Sequence, residues 1–185
     1  MIYFTSDWHL GETRIGDIRK GEPNFFFRDF SSTEEQDSHI IQKVNQYVGK
    51  DDILYHIGDV LMTDESYDWL DCVRCKNRTL ITGNYDINRL SELAKYFDMI
   101  HTEAIPRDKE TETEFHLVHE PTKSIPDMFN IVGHIHGLWK VKRNMINVGV
   151  DAWHFRPVSM AEILFTKDAI DKSFYDDNVF YGEAK

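Results

Sequence analysis

Three short apolar runs, each ending in a carboxylate or carboxamide and each followed by a helical pattern, constrain this chain most. The first, Ile2-Tyr3-Phe4-Thr5, runs out into Ser6-Asp7-Trp8-His9. The second, Ile53-Leu54-Tyr55-His56-Ile57, is apolar almost throughout, as in a strand buried on both faces, and opens into Gly58-Asp59. The third, Thr79-Leu80-Ile81-Thr82, leads to Gly83-Asn84-Tyr85-Asp86. Between the first two, Ser32 and Glu35 have the spacing of a capping box. Ile40, Ile41, Val44, Tyr47 and Val48 then form a helical stripe that Gly49 and Asp51-Asp52 end. Further helices are expected over about 65–75 and 89–97. This βαβαβα rhythm predicts a mainly parallel sheet with right-handed crossovers. Functional groups of such sheets collect beyond the carboxyl ends of the strands, where Asp7, Asp59 and Asn84 fall.

The pattern changes after Pro106. Residues 108–114 are polar and acidic and read as a hairpin turn. Strands are expected at 115–118, 130–132, 144–148 and 162–165. The first two end in histidine-bearing turns, His119-Glu120-Pro121 and Gly133-His134-Ile135-His136-Gly137. Residues 10–31 form a long irregular stretch with Phe25, Phe26, Phe27 and Phe30, either a pocket wall or a loop pinned by its own phenylalanines. No internal repeat or linker interrupts the chain. Its 185 residues are therefore expected to form one domain, with a core over about 1–165 and a polar C-terminal extension over 166–185.

Composition excludes some functions. A formal charge of −11 argues against a broad, sequence-independent nucleic-acid-binding surface. It leaves room for a phosphate substrate, because bound divalent cations reverse the local field. No apolar run is long enough to span a membrane, and the N-terminus lacks the pattern of a signal peptide. Cys72 and Cys75 form a lone Cys-x-x-Cys without further zinc ligands and read as two reduced thiols at a helix end. A cytoplasmic location is the corresponding expectation.

The polar residues at the strand ends are Asp7, His9, Asp59, Asn84, His119, His134 and His136. On extended backbone, Asp7 and His9 point to the same side, as do His134 and His136. Seven oxygen and nitrogen donors exceed one four-coordinate site and suit two adjacent metal ions sharing a carboxylate. The neighbouring Gly58, Gly83 and Gly133 allow tight turns and close backbone approach.

This ordered set resembles the calcineurin-like metallophosphoesterases, whose blocks run Asp-x-His, Gly-Asp, Gly-Asn-His-Asp/Glu, a lone His and Gly-His-x-His. Here they read Asp7-Trp8-His9, Gly58-Asp59, Gly83-Asn84-Tyr85-Asp86, His119 and Gly133-His134-Ile135-His136. Arg28-Asp29-Phe30-Ser31-Ser32, Asn147-Val148-Gly149-Val150-Asp151-Ala152-Trp153 and Arg156-Pro157-Val158-Ser159 look like a small bacterial and phage branch. The resemblance implies an α/β (α+β) fold, a four-layer αββα sandwich with mixed sheets. It implies that Asp7, His9 and His136 hold one metal, that Asn84, His119 and His134 hold the other, and that Asp59 bridges them. Manganese is the first expectation, with iron, zinc or nickel as alternatives. The implied activity is hydrolysis of a nucleotide or small phosphodiester by in-line attack of a metal-bridging hydroxide. A phosphomonoesterase and a catalytically weak binding scaffold of the same fold are the alternatives.

Tyr85 departs from the pattern, standing where the family has a histidine that assists at the phosphate and that the next acid, here Asp86, orients. A phenol, with an ordinary pKa near 10, donates hydrogen bonds but is a poorer acid than imidazolium. Esters with poor leaving groups are therefore in doubt, and activated or cyclic diesters are favoured. His56, His101, His116 and His154 are candidate substitutes, each also readable as structural. Trp153, Phe155 and Arg156 could stack on and clamp a nucleotide, or lock the final element.

Overall fold

The computed structural model describes residues 1–15 and 28–172. Phe25, Phe26, Phe27, Phe174, Tyr175, Phe180 and Tyr181 lie outside them. The three apolar runs become β1 (Ile2–Thr5), β2 (Ile53–His56) and β3 (Asn77–Ile81), joined by β4 (Met99–His101). These four pair in parallel, in sequence order. The first sheet is closed at its other edge by the short antiparallel β10 (Val158–Ser159).

The helix between β1 and β2, α1 (Thr33–Tyr47), begins as its sequence requires: Ser32 accepts the backbone N–H of Glu35. Ile40, Ile41 and Val44 are its buried stripe. The expected helices at 65–75 and 89–97 are shorter. Each is a 3-10 turn running into one α turn, α2 (Asp68–Asp71) and α3 (Leu90–Leu93). Each has one buried anchor, Leu70 or Leu93, and no stripe long enough to sustain a longer helix.

Strand periodicity assigns the faces. Tyr3, Leu54 and Leu80 share a core cluster with the anchors of α1, α2 and α3. Phe4, Ile57 and Ile81 point the other way, into a second core cluster. There they meet Phe115 and Leu117, Phe129 and Ile131, and Ile146. Those residues belong to β6 (Phe115–Val118), β7 (Phe129–Val132) and β9 (Met145–Asn147), which pair in parallel. Antiparallel edges are added by β5 (Glu103–Ala104) and β8 (Val141–Lys142). The protein is thus a mixed α/β fold with two mixed sheets packed face to face and α1, α2 and α3 on one outer side. The turn expected at 108–114 is closed by an antiparallel bridge between Arg107 and Glu114.

One expected strand is a helix. Residues 162–165 lie within α4 (Met160–Asp171), which opens on a full capping box between Ser159 and Glu162. Ser159-Met160-Ala161-Glu162 carries the same Ser-x-x-Glu signal as α1, and it outweighs the short apolar run. Met160, Ile163, Thr166 and Ala169 are its buried side, spaced by three.

Among the described residues, no α-helix lies between β5 and β9. The outer face of the second sheet is instead covered by loops tied to buried asparagines. The Asn130 carboxamide donates to the carbonyls of Ile125, Met128 and Asn144 and accepts from the Ile125 N–H and the His116 ring. The Asn147 carboxamide donates to the carbonyls of His136 and Trp139 and accepts from the Gly149 N–H. A carboxamide meets these demands where an apolar residue would leave loop carbonyls unpaired. No described helix is long and apolar enough to cross a membrane.

His56 faces the helical side, its ring edge-on to Trp8 at 4.5 Å. It is fully buried, and neither ring nitrogen has a hydrogen-bond partner. Burial, with the nearby His119 adding to it, pushes its pKa down to about 3. Between pH 6.5 and about 3 the unfolded chain binds a proton that the folded protein refuses, so stability falls as pH falls. We expect His56→Leu, similar in volume, to remove about 3 kcal/mol of the loss between pH 7 and pH 4. Urea unfolding at several pH values measures this, and parallel profiles for the two proteins would refute it.

Candidate metal centre

The carboxyl ends of both parallel sets converge. Beyond β1 and β9, Ser6 and Gly149 form a parallel bridge, and the Val150 N–H donates to the Ser6 carbonyl. Beyond β1 and β2, the Asp7 N–H donates to Gly58 and the His9 N–H to Asp59, at 3.0 and 3.1 Å. The chain turns sharply at these ends. Asp7, His9, Asp59, His134 and His136 all hold left-handed backbone, with φ of 58°, 48°, 61°, 73° and 51°. Asp7 and His9 therefore meet through left-handed turns rather than along extended strand. Gly58, with φ of 87°, has the same backbone hand. A Cβ on Gly83 would collide with the Asp59 carboxylate, and one on Gly133 with Ser6 and Asp7.

Two donor groups result. Asp7, His9 and His136 bring ligand atoms within 4.8 Å of one another, and so do Asp59, His119 and His134. Asp59 faces both: its Oδ2 is 3.6 Å from His9 Nε2 and 3.1 Å from His119 Nε2. His134 Nδ1 lies 3.2 Å from Asn84 Oδ1 and 3.3 Å from His119 Nε2. All seven expected ligands are thus brought together, in two adjoining groups.

In three of the four imidazoles the other ring nitrogen is held by the protein. His119 Nδ1 donates to the Ile57 carbonyl at 2.6 Å, His136 Nδ1 lies 2.7 Å from Asp151, and His9 Nδ1 lies 3.1 Å from Met62 sulfur. Burial raises the Asp7 carboxyl, the neighbouring imidazoles pulling the other way. Burial also drives His9 well below the ordinary imidazole value. For His119, burial pulls downward but the hydrogen bond and charge of Asp59, with Asp7 behind it, carry the pKa up to about 9. Two carboxylates, a carboxamide and four imidazoles aimed inward fit divalent cations of intermediate softness.

Two residues outside the expected set organise this centre. Arg28, fully buried, pairs side-on with Asp151 through Nε and Nη2 at 2.8 and 3.0 Å. Its remaining donors reach the carbonyls of Asp7 and Trp8 at 2.6 and 2.8 Å. Asp151 Oδ2, which also accepts Arg28 Nη2, meets His136 Nδ1 and forms a carboxylate–histidine couple of the kind that fixes the ring of a metal-ligating imidazole. Burial would raise the Asp151 carboxyl, but His136 and Arg28 bring it down to about 2. Both residues lie in motifs quoted above, but nothing in their immediate sequence marks either as buried.

The remaining candidates divide. Tyr85 stands beside the centre, its ring edge-on to His9 at 5.0 Å and its N–H donating to Asp59 Oδ1 at 3.0 Å. The Asp86 carboxylate accepts the backbone N–H groups of Asp59, Val60 and Gly83, so it builds the turns. Trp153 is buried, its indole N–H donating to the Asn147 carbonyl, and Lys140 and Arg156 lie over its ring. Arg156 pairs with Glu162 at the start of α4. This is the arrangement of a lock on the final element. Phe155 packs on Phe30 and beneath the Arg28 guanidinium. His56 is committed to packing and His116 to hydrogen bonds with Asn130 and Glu103, and neither His101 nor His154 joins the two donor groups.

No family model matches the chain. It is 26% identical over 172 residues to the uncharacterized protein MJ1445 of Methanocaldococcus jannaschii, with 86% of each chain covered. Its fold is similar to the crystal structure of the protein of unknown function AQ665 of Aquifex aeolicus. That match has a TM-score of 0.66 at 24% identity, covering 89% of this chain and 98% of the other.

Asp151→Asn keeps the size of the side chain but weakens its hold on His136. We expect it to lower divalent-metal affinity at one of two sites by about 10- to 100-fold. Calorimetric titration with Mn²⁺ reads this directly, and two unaltered isotherms would overturn the assignment.

Proposed function

We propose that this protein is a dinuclear-metal-dependent phosphoesterase that hydrolyses a nucleotide or small phosphodiester in preference to a monoester. The observation that carries the reading is Asp59, whose one carboxylate oxygen faces ligand nitrogens of both donor groups. Asp7, His9 and His136 would hold one ion, Asn84, His119 and His134 the other. Two face-to-face mixed sheets with helices outside support the four-layer αββα sandwich of the calcineurin-like metallophosphoesterases, loops taking the place of helices over part of one outer layer. Manganese is the first choice for this oxygen and nitrogen donor set, ahead of iron, zinc or nickel.

When bound, two such ions supply Lewis acidity and a water acidic enough to act as a nucleophile at neutral pH. The chain's own groups do the rest. Asp59 is held by the Tyr85 N–H and by the turn that Asp86 organises, so its orientation is set before substrate arrives. Arg28 and Asp151 hold the Asp7 turn and the His136 ring from behind. Tyr85 offers a neutral phenol on the substrate side. A neutral donor suits a diester monoanion and gives little help to an expelled alkoxide, which is the basis of the substrate preference. The two free cysteines, Cys72 and Cys75, fit a reducing compartment, the cytoplasm.

With Mn²⁺, an activated aryl phosphodiester should turn over at least about tenfold faster than the matching monoester. Asp59→Asn should reduce both to background while the protein stays folded. Faster monoester turnover would reverse the substrate preference, and no turnover with metal bound would leave a binding scaffold. Unchanged rates in Asp59→Asn would sink the shared-carboxylate reading.

A further inference from the structure

Met62 follows the Asp59 turn, and its half-buried side chain ends on a donor residue: the thioether sulfur lies 3.1 Å from His9 Nδ1. Its backbone is fixed on both sides. The Met62 N–H donates to the Leu10 carbonyl at 2.8 Å, next to the bridge between Leu10 and Leu61. The Met62 carbonyl accepts Arg89 Nη2 at 3.1 Å, while Arg89 Nη1 donates to the Tyr85 carbonyl at 3.2 Å and Nε to Asp64 at 2.8 Å. Arg89 thus crosslinks the Met62 and Tyr85 turns. Both residues flank the His9 ring, the sulfur at Nδ1 and the Tyr85 ring edge-on at 5.0 Å.

The opposite nitrogen, His9 Nε2, faces the centre, 3.6 Å from Asp59 Oδ2, which is too long for a hydrogen bond. A neutral imidazole has one N–H, and the bond made by one nitrogen decides which form is present. Hydrogen on Nδ1 meets the sulfur and leaves a bare lone pair on Nε2, the form that can ligate. Hydrogen on Nε2 would close that ligand position. Resting on the two-metal phosphoesterase reading above, we propose that Met62 is a positioning residue that holds His9 in the Nδ1–H form, with Nε2 presented to the metal. A thioether accepts weakly but carries no charge. A carboxylate in its place, like the one on His136, would bury a further negative charge beside Asp7 and Asp59, which are themselves buried.

Metal-free protein tests this without turnover. Ring ¹H–¹⁵N correlations of labelled histidine, assigned with His9→Gln, should show His9 protonated on Nδ1 in the wild type. Met62→Leu, close in volume but without an acceptor, should give a mixture with the Nε2–H form. Met62→Gln supplies a carbonyl oxygen instead and should restore Nδ1–H. Calorimetric titration with Mn²⁺ reads the consequence: Met62→Leu should weaken one of two sites about tenfold, and Met62→Gln should stay within about threefold of the wild type. The Nε2–H form in the wild type, or the same His9 form in the wild type and Met62→Leu, overturns the proposal. So does unaltered affinity in Met62→Leu, or an equal loss in both variants, which marks packing alone. If no Mn²⁺ binds while the three spectra come out as expected, the two-metal reading fails and the orientation of His9 by Met62 stands.

Discussion

The left-handed backbone at five of the donor residues is the constraint on which this centre depends. Side chains other than glycine resist that conformation by roughly 1–2 kcal/mol per residue. Asp7, His9, Asp59, His134 and His136 all adopt it. The turns bring donors that would otherwise continue along their strands back over the ends of the two sheets. What holds them is a set of buried hydrogen bonds between turns. Asp86 accepts three backbone N–H groups around Asp59, and the Asp7 carboxylate accepts the N–H of His134 at 3.0 Å. Strain of this kind persists where the surroundings over-determine it, and such surroundings cluster at functional sites.

The same economy appears in the buried charges. Arg28 is costly to bury, yet each of its nitrogens donates to an acceptor: the carbonyls of Asp7 and Trp8 in the turn that carries Asp7 and His9, and the Asp151 carboxylate that meets His136. Removing one partner would leave a charge stranded in low dielectric, so the pair specifies a single arrangement of the loops around it. The asparagines of the second sheet do for loops what apolar stripes do for helices. Asn147 ties the loop of His136 to the strand whose end bridges to Ser6, next to Asp7, and so part of the outer face serves the inner site.

How far this could be read from the residues follows from the range of each interaction. Parallel pairing of β1, β2 and β3 was legible, because apolar runs separated by helix signals leave few alternatives. All seven donors were legible as polar residues at the ends of those runs and of the two later strands that end in histidine-bearing turns. The helix α4 was misread, since four apolar-rich residues look alike in a strand and in one helical turn; only the capping box upstream tells them apart. Arg28 and Asp151 are 123 positions apart, and nothing local marks a charged loop residue as buried. The stacking role weighed for Trp153 and Arg156 gave way to a packed one for a similar reason. Asn147 and Glu162, which engage them, are themselves ordinary polar residues in the sequence.

The bond from His134 to Asp7 joins residues 127 positions apart. Contacts of that separation form late, because the loop they close must first lose its freedom. Neither donor group can therefore be completed by one sheet alone: one needs the turn after β1 with that after β7, the other the turn after β2 with those after β6 and β7. During synthesis the first donors are made long before their partners, and they stay apart until the second sheet docks. Metal capture that needs a complete donor group would then be a late event in folding, one that reports both halves of the chain closed on each other.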